Sequence, residues 1–321
     1  MVRLLPSSSD DAVTEALRLL SNGGLVALPT ETVYGLGADA TDGVAVARIF
    51  EAKGRPRFNP LICHVGNLAM ALRTACFDGT ALALAKAFWP GPMTLVLPSA
   101  AASGVHPLVT GGLSTVAVRM PEGVARKLAA DLGRPIAAPS ANRSGKVSPT
   151  TAAHVAASLG ARVDLILDGG PSAVGLESTI LKPMGDHIAL LRAGGLSVAE
   201  VEAVSGLPVR RAEPDSGIEA PGQLASHYAP HGSVRLDASA VAPGEWLIRF
   251  GATPVEGEEK AGGIIELSRS GDLHEAASRL FAALAACDRP EIAIIAVTPV
   301  PEDGLGEAIN DRLRRAAAPR S

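Results

Sequence analysis

Aromatic side chains make up only 3% of the chain, and its two tyrosines are Tyr34 and Tyr228. So thin a supply argues against a surface that works by stacking exposed bases. Cysteine is scarce too. Cys63, Cys76 and Cys287 lie far apart, form no C-x-x-C pair and are odd in number. They argue against structural disulfides and a cysteine metal site, and for a reduced, cytoplasmic protein. The net charge of −4 gives no bulk argument for a nucleic-acid or membrane partner. No apolar run approaches the roughly 18 residues of a membrane span. The start, Met1-Val2-Arg3-Leu4-Leu5, breaks at Pro6 and does not read as a secretory signal.

Several catalytic signatures are also missing. Gly35-Leu36-Gly37-Ala38-Asp39-Ala40 fits a loose G-x-G-x-x-A pattern, but Pro-Thr-Glu-Thr-Val-Tyr separates it from the preceding apolar run. A dinucleotide turn also needs an acid about 20 residues on, and that distance lands near Arg55. Ser144-Gly145-Lys146-Val147 lacks the upstream glycine and following hydroxyl of a P-loop. Gly175-Leu176-Glu177-Ser178-Thr179 is not a nucleophile elbow.

What remains is a chain of 321 residues with 47% hydrophobic content, enough for about two domains with their own cores. Helical spacing alternates with short apolar strands through residues 1–205. Ser9 is expected to cap a helix from Asp10 to about Leu20, stopped by Asn22-Gly23-Gly24. Strands are expected at Leu25–Leu28, Leu61–Val65, Met93–Leu97, Thr115–Val118, Pro135–Ala138, Val163–Leu167, Thr179–Lys182 and Ile188–Leu191. Helices are expected at Val44–Ala52, Thr80–Phe88, Glu122–Leu132 and Thr150–Leu159, and from Ser197 to about Val204. Some strand neighbours are too close for crossover helices, so the sheet should be mixed. Residues 206–231 are proline-rich and aperiodic and read as an ordered linker. Residues 232–321 spell a smaller β-β-α-β-α unit.

Cations gather at element ends: Lys53-Gly54-Arg55-Pro56-Arg57, Arg119 before Pro121, Arg143 and Lys146 around a glycine, and Arg192 before Gly194-Gly195. In an α/β sheet such ends converge on one crevice, and several cations there suit a multiply charged anion. Cys63 and His64 are adjacent on one strand and point to opposite faces. They cannot form a dyad, so Cys63 belongs to the core and His64 is free to face the crevice. Glu31 and Glu177 could be a carboxylate pair for acid–base work or Mg²⁺, but loop hydrogen bonding is the better reading of their spacing. The inventory of hydroxyls, a histidine and cations suits a reaction run by positioning and charge stabilisation.

Taken together, "PTETVYGLG", "KGRPRFNPLICHV", "STVAVRMP", "PSANRSGKVSPT", "VGLESTI" and "LLRAGG" resemble the threonylcarbamoyl-AMP synthase family, with its YrdC-like fold, over about Leu4 to Ser205. "PGQLASHYAPH" resembles the linker of the family's long, two-domain form. The resemblance implies a YrdC-like twisted mixed sheet with a basic crevice, plus a smaller C-terminal α/β, Rossmann-like domain. It implies threonylcarbamoyl-adenylate synthesis from L-threonine, bicarbonate and ATP, for modification of adenosine 37 in ANN-decoding tRNAs. Mg²⁺ would be carried mainly by ATP phosphates and no metal held by protein ligands. The tRNA threonylcarbamoyl-transferase machinery would take the product.

Carried over residue by residue, the resemblance implies Thr32, His64, Arg119, Ser140 and Ser178 for threonine, with Arg119 on its carboxylate. The glycines after Thr32 would let backbone pass close to the substrate. For ATP it implies Lys53, Arg55, Asn59, Thr115, Asn142, Thr150, Arg192 and Tyr228, with Lys53 and Arg55 catalytic. The family often has Met after the Pro-Gly and Lys before the His-Tyr, where this chain has Gln223 and Ser226. A linker folded over the crevice would bring Tyr228 to ATP. Two rival readings are a double-stranded-RNA-binding module using the same cations, and a carbamoyl-transfer domain. The second lacks the zinc cysteines expected of larger relatives.

Overall fold

The computed structural model describes residues 2–212, 219–222 and 227–319. Gln223 and Ser226 lie outside the described residues. The first unit begins with β1 (Leu4–Pro6), α1 (Asp10–Ser21), β2 (Val26–Leu28), β3 (Gly35–Asp39), α2 (Gly43–Lys53) and β4 (Ile62–His64). It continues with α3 (Leu68–Thr74), α4 (Gly79–Phe88), β5 (Met93–Pro98), the single turn α5 (Pro107–Thr110), β6 (Thr115–Arg119), α6 (Gly123–Leu132) and β7 (Ile136–Ala137). The rest is α7 (Ala152–Leu159), β8 (Leu165–Asp168), β9 (Thr179–Pro183), β10 (Ile188–Arg192), α8 (Val198–Ser205) and β11 (Val209–Arg211).

These strands form one mixed sheet in the order β1-β8-β2-β3-β7-β4-β6-β5-β9-β10-β11. The short gaps between β2 and β3, and between β9 and β10, are bridged antiparallel; β4 and β6, separated by α3, α4, β5 and the turn α5, run parallel. That is the mixture expected from connection lengths.

Three strands lie outside the elements expected from the sequence. β1 ends in a proline on the sheet edge, where no ladder N–H is needed. β3 is wholly buried yet has no β-branched residue. A Cβ on Gly37 would sit 2.7 Å from Leu28 Cδ1, so a glycine is required there by core packing and not by a ligand. β11 falls in the stretch expected to be linker, and it extends the sheet edge by pairing parallel with β10.

The second unit holds β12 (Ser233–Arg235), β13 (Trp246–Phe250), β14 (Gly263–Ser268), α9 (Leu273–Ala286), β15 (Ile294–Val297) and α10 (Gly306–Ala317). Its sheet is all parallel, in the order β12-β15-β13-β14. The extra strand β12 precedes the expected β-β-α-β-α series. Among the described residues no helix is long and apolar enough to cross a membrane.

Helix ends place several site residues. Ser9 accepts a hydrogen bond from the Ala12 amide, as a cap should. Asp42 caps α2 through the amides of Val44 and Ala45. Gly54, at φ 61°, ends that helix in the left-handed conformation, leaving Lys53 on the last turn and Arg55 beyond it. Ser197 and Glu200 form a reciprocal capping box on α8.

Candidate active site

One cavity collects side chains from most of the recognised motifs. Its floor is one face of the sheet. Ile62 and His64 of β4 point into it, while Cys63 between them lies fully in the core. His64 is in register with Arg119 of β6, so both present to the same space. Thr32, Gly35, Ser140, Ser178, Arg55 and Arg192 complete the ring. Pro221, Gly222, His227 and Tyr228 cover it. Threonine-assigned Thr32, His64, Arg119, Ser140 and Ser178 are thus brought together. Of the ATP-assigned set, Arg55, Arg192 and Tyr228 join them. Lys53, Asn59, Thr115, Asn142 and Thr150 do not line this cavity.

These five stand behind the cavity or beside it. Lys53 is buried on α2, and its Nζ donates to the carbonyls of Ser140 and Asn142. It therefore fixes the loop that carries Ser140. Burial, with the nearby charge of Arg55, pushes Lys53 well below its usual value. Asn142 uses its Nδ2 on the carbonyls of Arg143 and Lys146. Asn59 is buried beside Arg55, which donates to its backbone carbonyl. Thr150 meets the His154 ring at 3.4 Å. Thr115 starts β6, on the same face as Arg119.

The threonine-assigned cluster is tightly ordered. Thr30 donates to the Val33 carbonyl at 2.6 Å, so its hydroxyl accepts from Thr32. Thr32 in turn accepts from Arg119 Nη1 at 2.7 Å. Arg119 also donates Nη2 to Glu31 at 2.6 Å and Nε to the Gly91 carbonyl. A guanidinium has five N–H donors, and these contacts engage three. Two remain for a carboxylate.

Lys53, Arg55, Arg119 and Arg192 are 3%, 9%, 4% and 7% exposed. Of these four, only Arg119 forms an ion pair with a carboxylate among the described residues; Glu31 holds it. Arg55 donates to the carbonyls of Asn59 and Pro60, and Arg192 to that of Ser178. Burial and then the like charge of Arg192 bring Arg55 down to about 10. Burial lowers Arg192 as well. Buried cations without counter-ions are costly, and an anionic ligand would relieve them.

Other polar atoms are left without partners at the same place. The buried Nδ1 atoms of His64 and His227 and the Oδ1 atoms of Asn59 and Asn142 make no hydrogen bond. Burial, reinforced by Arg119, holds His64 well below its usual value, so the ring is neutral near pH 7. Burial brings His227 to about 3.

Tyr228 has φ 64°, rare for a residue with a side chain. Packing holds it there. Its ring lies 5.2 Å from that of Phe281 on α9, and the Arg312 guanidinium of α10 lies over it at 5.5 Å. The next residue, Ala229, donates its amide to Gly145 of the first unit.

Glu31 and Glu177 do not form a pair with each other. Glu31 holds Arg119, and Glu177 accepts from Ser148 and from Arg312. Arg312 was not expected at the site, since nothing around it in the sequence marks it. His227 had a weaker signal, its place in His-Tyr-Ala-Pro-His.

Residues 18–194 match a family model described as telomere recombination, and residues 196–318 match the threonylcarbamoyl-AMP synthase C-terminal domain. The threonylcarbamoyl-AMP synthase of Bacillus subtilis is 40% identical, covering 98% of this chain and 95% of its own. That of Pyrococcus abyssi is 43% identical, with 94% and 93% covered. The crystal structure of P. abyssi Sua5 complexed with L-threonine superposes with a TM-score of 0.87 at 38% identity, over 99% of this chain and 97% of that one. On these grounds the chain belongs to the threonylcarbamoyl-AMP synthase family, in its two-domain form.

Proposed function

We propose that this chain is the nucleotidyltransferase that joins L-threonine, bicarbonate and ATP into threonylcarbamoyl-AMP, releasing pyrophosphate. The observation that carries the reading is the cavity itself: buried cations without carboxylates stand beside an ordered hydroxyl–arginine–histidine cluster. One half suits a triphosphate and the other an amino acid with its own carboxylate and hydroxyl.

The threonine carboxylate takes the two remaining donors of Arg119, whose plane Glu31 and Thr32 fix. His64, Ser140 and Ser178 surround its side chain and amine. The amine attacks the carbon of bicarbonate; the C–N bond forms as the C–OH bond breaks, the hydroxide leaves with an amine proton as water, and an N-carboxylate results. A carboxylate oxygen then attacks the α-phosphorus, and the bond to the β-phosphate oxygen breaks as pyrophosphate leaves. Arg55 and Arg192 neutralise the phosphates, Lys53 steadies the Ser140–Asn142 loop from behind, and Tyr228 shields the reacting atoms from water. Asn59, Thr115, Asn142 and Thr150 would meet the nucleotide only outside the cavity as it stands. Glu177, which lines the cavity, and Glu31 behind Arg119 are both held by arginines, so Mg²⁺ would enter on the phosphates. Mg²⁺ supplies charge neutralisation to the triphosphate. The product would pass, in the cytoplasm, to the enzyme that transfers threonylcarbamoyl to adenosine 37 of tRNA.

An RNA-binding module built on the same cations is not favoured. Lys53, Arg55, Arg119 and Arg192 are too deeply buried for a duplex backbone to reach, which leaves it only Arg57, Arg143 and the half-buried Lys146 of those clusters. The test is incubation with ATP, Mg²⁺, threonine and labelled bicarbonate. A labelled adenylate should form only with all components present. Serine, lacking the methyl, should turn over at a loss of about 1–3 kcal/mol, and valine, leaving polar groups unpaired, should be worse. Equal turnover of all three would remove the threonine assignment.

A further inference from the structure

Among the described residues Arg312 is the largest side chain fully hidden from solvent, and it belongs to the second unit. Its three nitrogens have separate tasks. Nε donates to Glu177 at 2.9 Å, Nη2 to the Ala193 carbonyl at 2.8 Å, and Nη1 to Asp311 at 2.6 Å. Two of these partners are in the first unit, in the turns that carry Ser178 and Arg192. Glu177 itself lines the cavity, and its other oxygen accepts from Ser148.

The charge arrangement gives this contact a meaning beyond bracing. Glu177 and Arg192 line the same cavity, and Arg192 donates twice to the carbonyl of Ser178, the residue after Glu177. A buried carboxylate seeks a buried cation. Without Arg312, the cation available to Glu177 would be Arg192, and an ion pair between them would compete with any anionic ligand. With Arg312 in place, Arg192 bonds, among the described residues, only to neutral groups: the carbonyls of Ser178 and Pro221 and the Ser178 hydroxyl.

We propose that Arg312 is a positioning residue that acts from the second domain on the first: it engages Glu177 so that Arg192 stays available to the phosphates of ATP. This rests on the reading that the cavity binds ATP, and it assigns the second domain a part in preparing the site.

The experiment is ATP affinity, measured by calorimetry on the full chain. Arg312→Met should weaken it by more than about tenfold, because Glu177 turns to Arg192. Glu177→Gln/Arg312→Met also lacks the interdomain ion pair, but it has no competing carboxylate. Its affinity should return to within about threefold of the unaltered protein. A mere brace predicts the reverse, with the double variant as weak as the single or weaker, and that result would overturn the proposal. If Arg312→Met does not fold, the double variant decides alone, on the same threefold criterion. An unaltered protein with no ATP affinity would remove the functional reading itself, whereas a double variant that stays weak beside a binding parent removes only the role of Arg312.

Discussion

The two sheets treat charge in opposite ways. On the cavity face of the larger sheet, arginines and a lysine are buried, mostly against carbonyls, and imidazole and amide atoms are left without partners. In the smaller unit, the buried Arg312 apart, charges meet opposite charges near the surface. Arg235 holds Glu245, Arg249 holds Glu258 and Glu266, and Arg314 holds Glu302. No described residue from Tyr228 onward has a buried polar side-chain atom lacking a hydrogen bond. Unmet polarity in a packed interior opposes folding unless something repays it, and a ligand can do so. The contrast thus separates the part built to bind from the part built to hold.

The strongest way to break this comparison is at Arg119. Arg119→Met leaves Glu31 buried without its cation, which should destabilise the fold by about 3–5 kcal/mol and abolish threonine-dependent turnover. Denaturant unfolding alongside the adenylate assay checks both; a stable, active variant would mean the pair is dispensable.

Next comes Arg55→Ala. It removes a charge-assisted contact to phosphate worth roughly 2–3 kcal/mol, so turnover should fall more than tenfold in a folded protein. Near-normal kinetics would make Arg55 an ordinary buried cation.

The acid response should also divide the molecule. Burial alone would raise the Glu177 carboxyl, but Arg312, Arg192 and Ser148 outweigh it and hold it at about 2, against an ordinary 4.5. A group lowered on folding stabilises the protein above its unfolded value, and that stability drains away as pH falls from about 4.5 toward 2. Urea unfolding at about pH 5 and about pH 3 should show a smaller loss in Glu177→Gln/Arg312→Met than in the unaltered chain. Equal losses would mean the acid sensitivity has another source.

The smallest effect belongs to the second unit's surface. Arg314 and Glu302 have side chains 52% and 63% exposed. Arg314→Ala should change stability by less than about 1 kcal/mol and leave turnover alone. A tenfold loss of activity would erase the distinction between the units.

Much of this arrangement could be read locally. Alternation along β4 placed Cys63 in the core and His64 in the cavity, because successive strand residues must face opposite ways. Caps at Ser9 and Ser197 announced α1 and α8. The strand at Gly35–Asp39 could not be read so, since its glycine answers to Leu28 and Ile136 on neighbouring strands, outside any local pattern. Nor could β11, whose only reason to be extended is the open edge of β10 beside it. The site divides in the same way. Arginines at strand ends signalled an anion, but which of them would keep a carboxylate depended on contacts across the fold, such as that of Arg119 with Glu31. Arg312 is the extreme case, 135 residues from the carboxylate it holds.

That separation has a consequence for how the protein is made. Synthesis runs from the N-terminus, and domains generally fold as units as they emerge. When Glu177 leaves the ribosome, α10 has not yet been translated. The first domain must therefore pack while the cation available to that carboxylate is its own Arg192. Only after α10 is complete can Arg312 engage Glu177 and release Arg192. The cavity is finished only once α10 has been made, so a chain that terminates before it lacks the side chain that completes it.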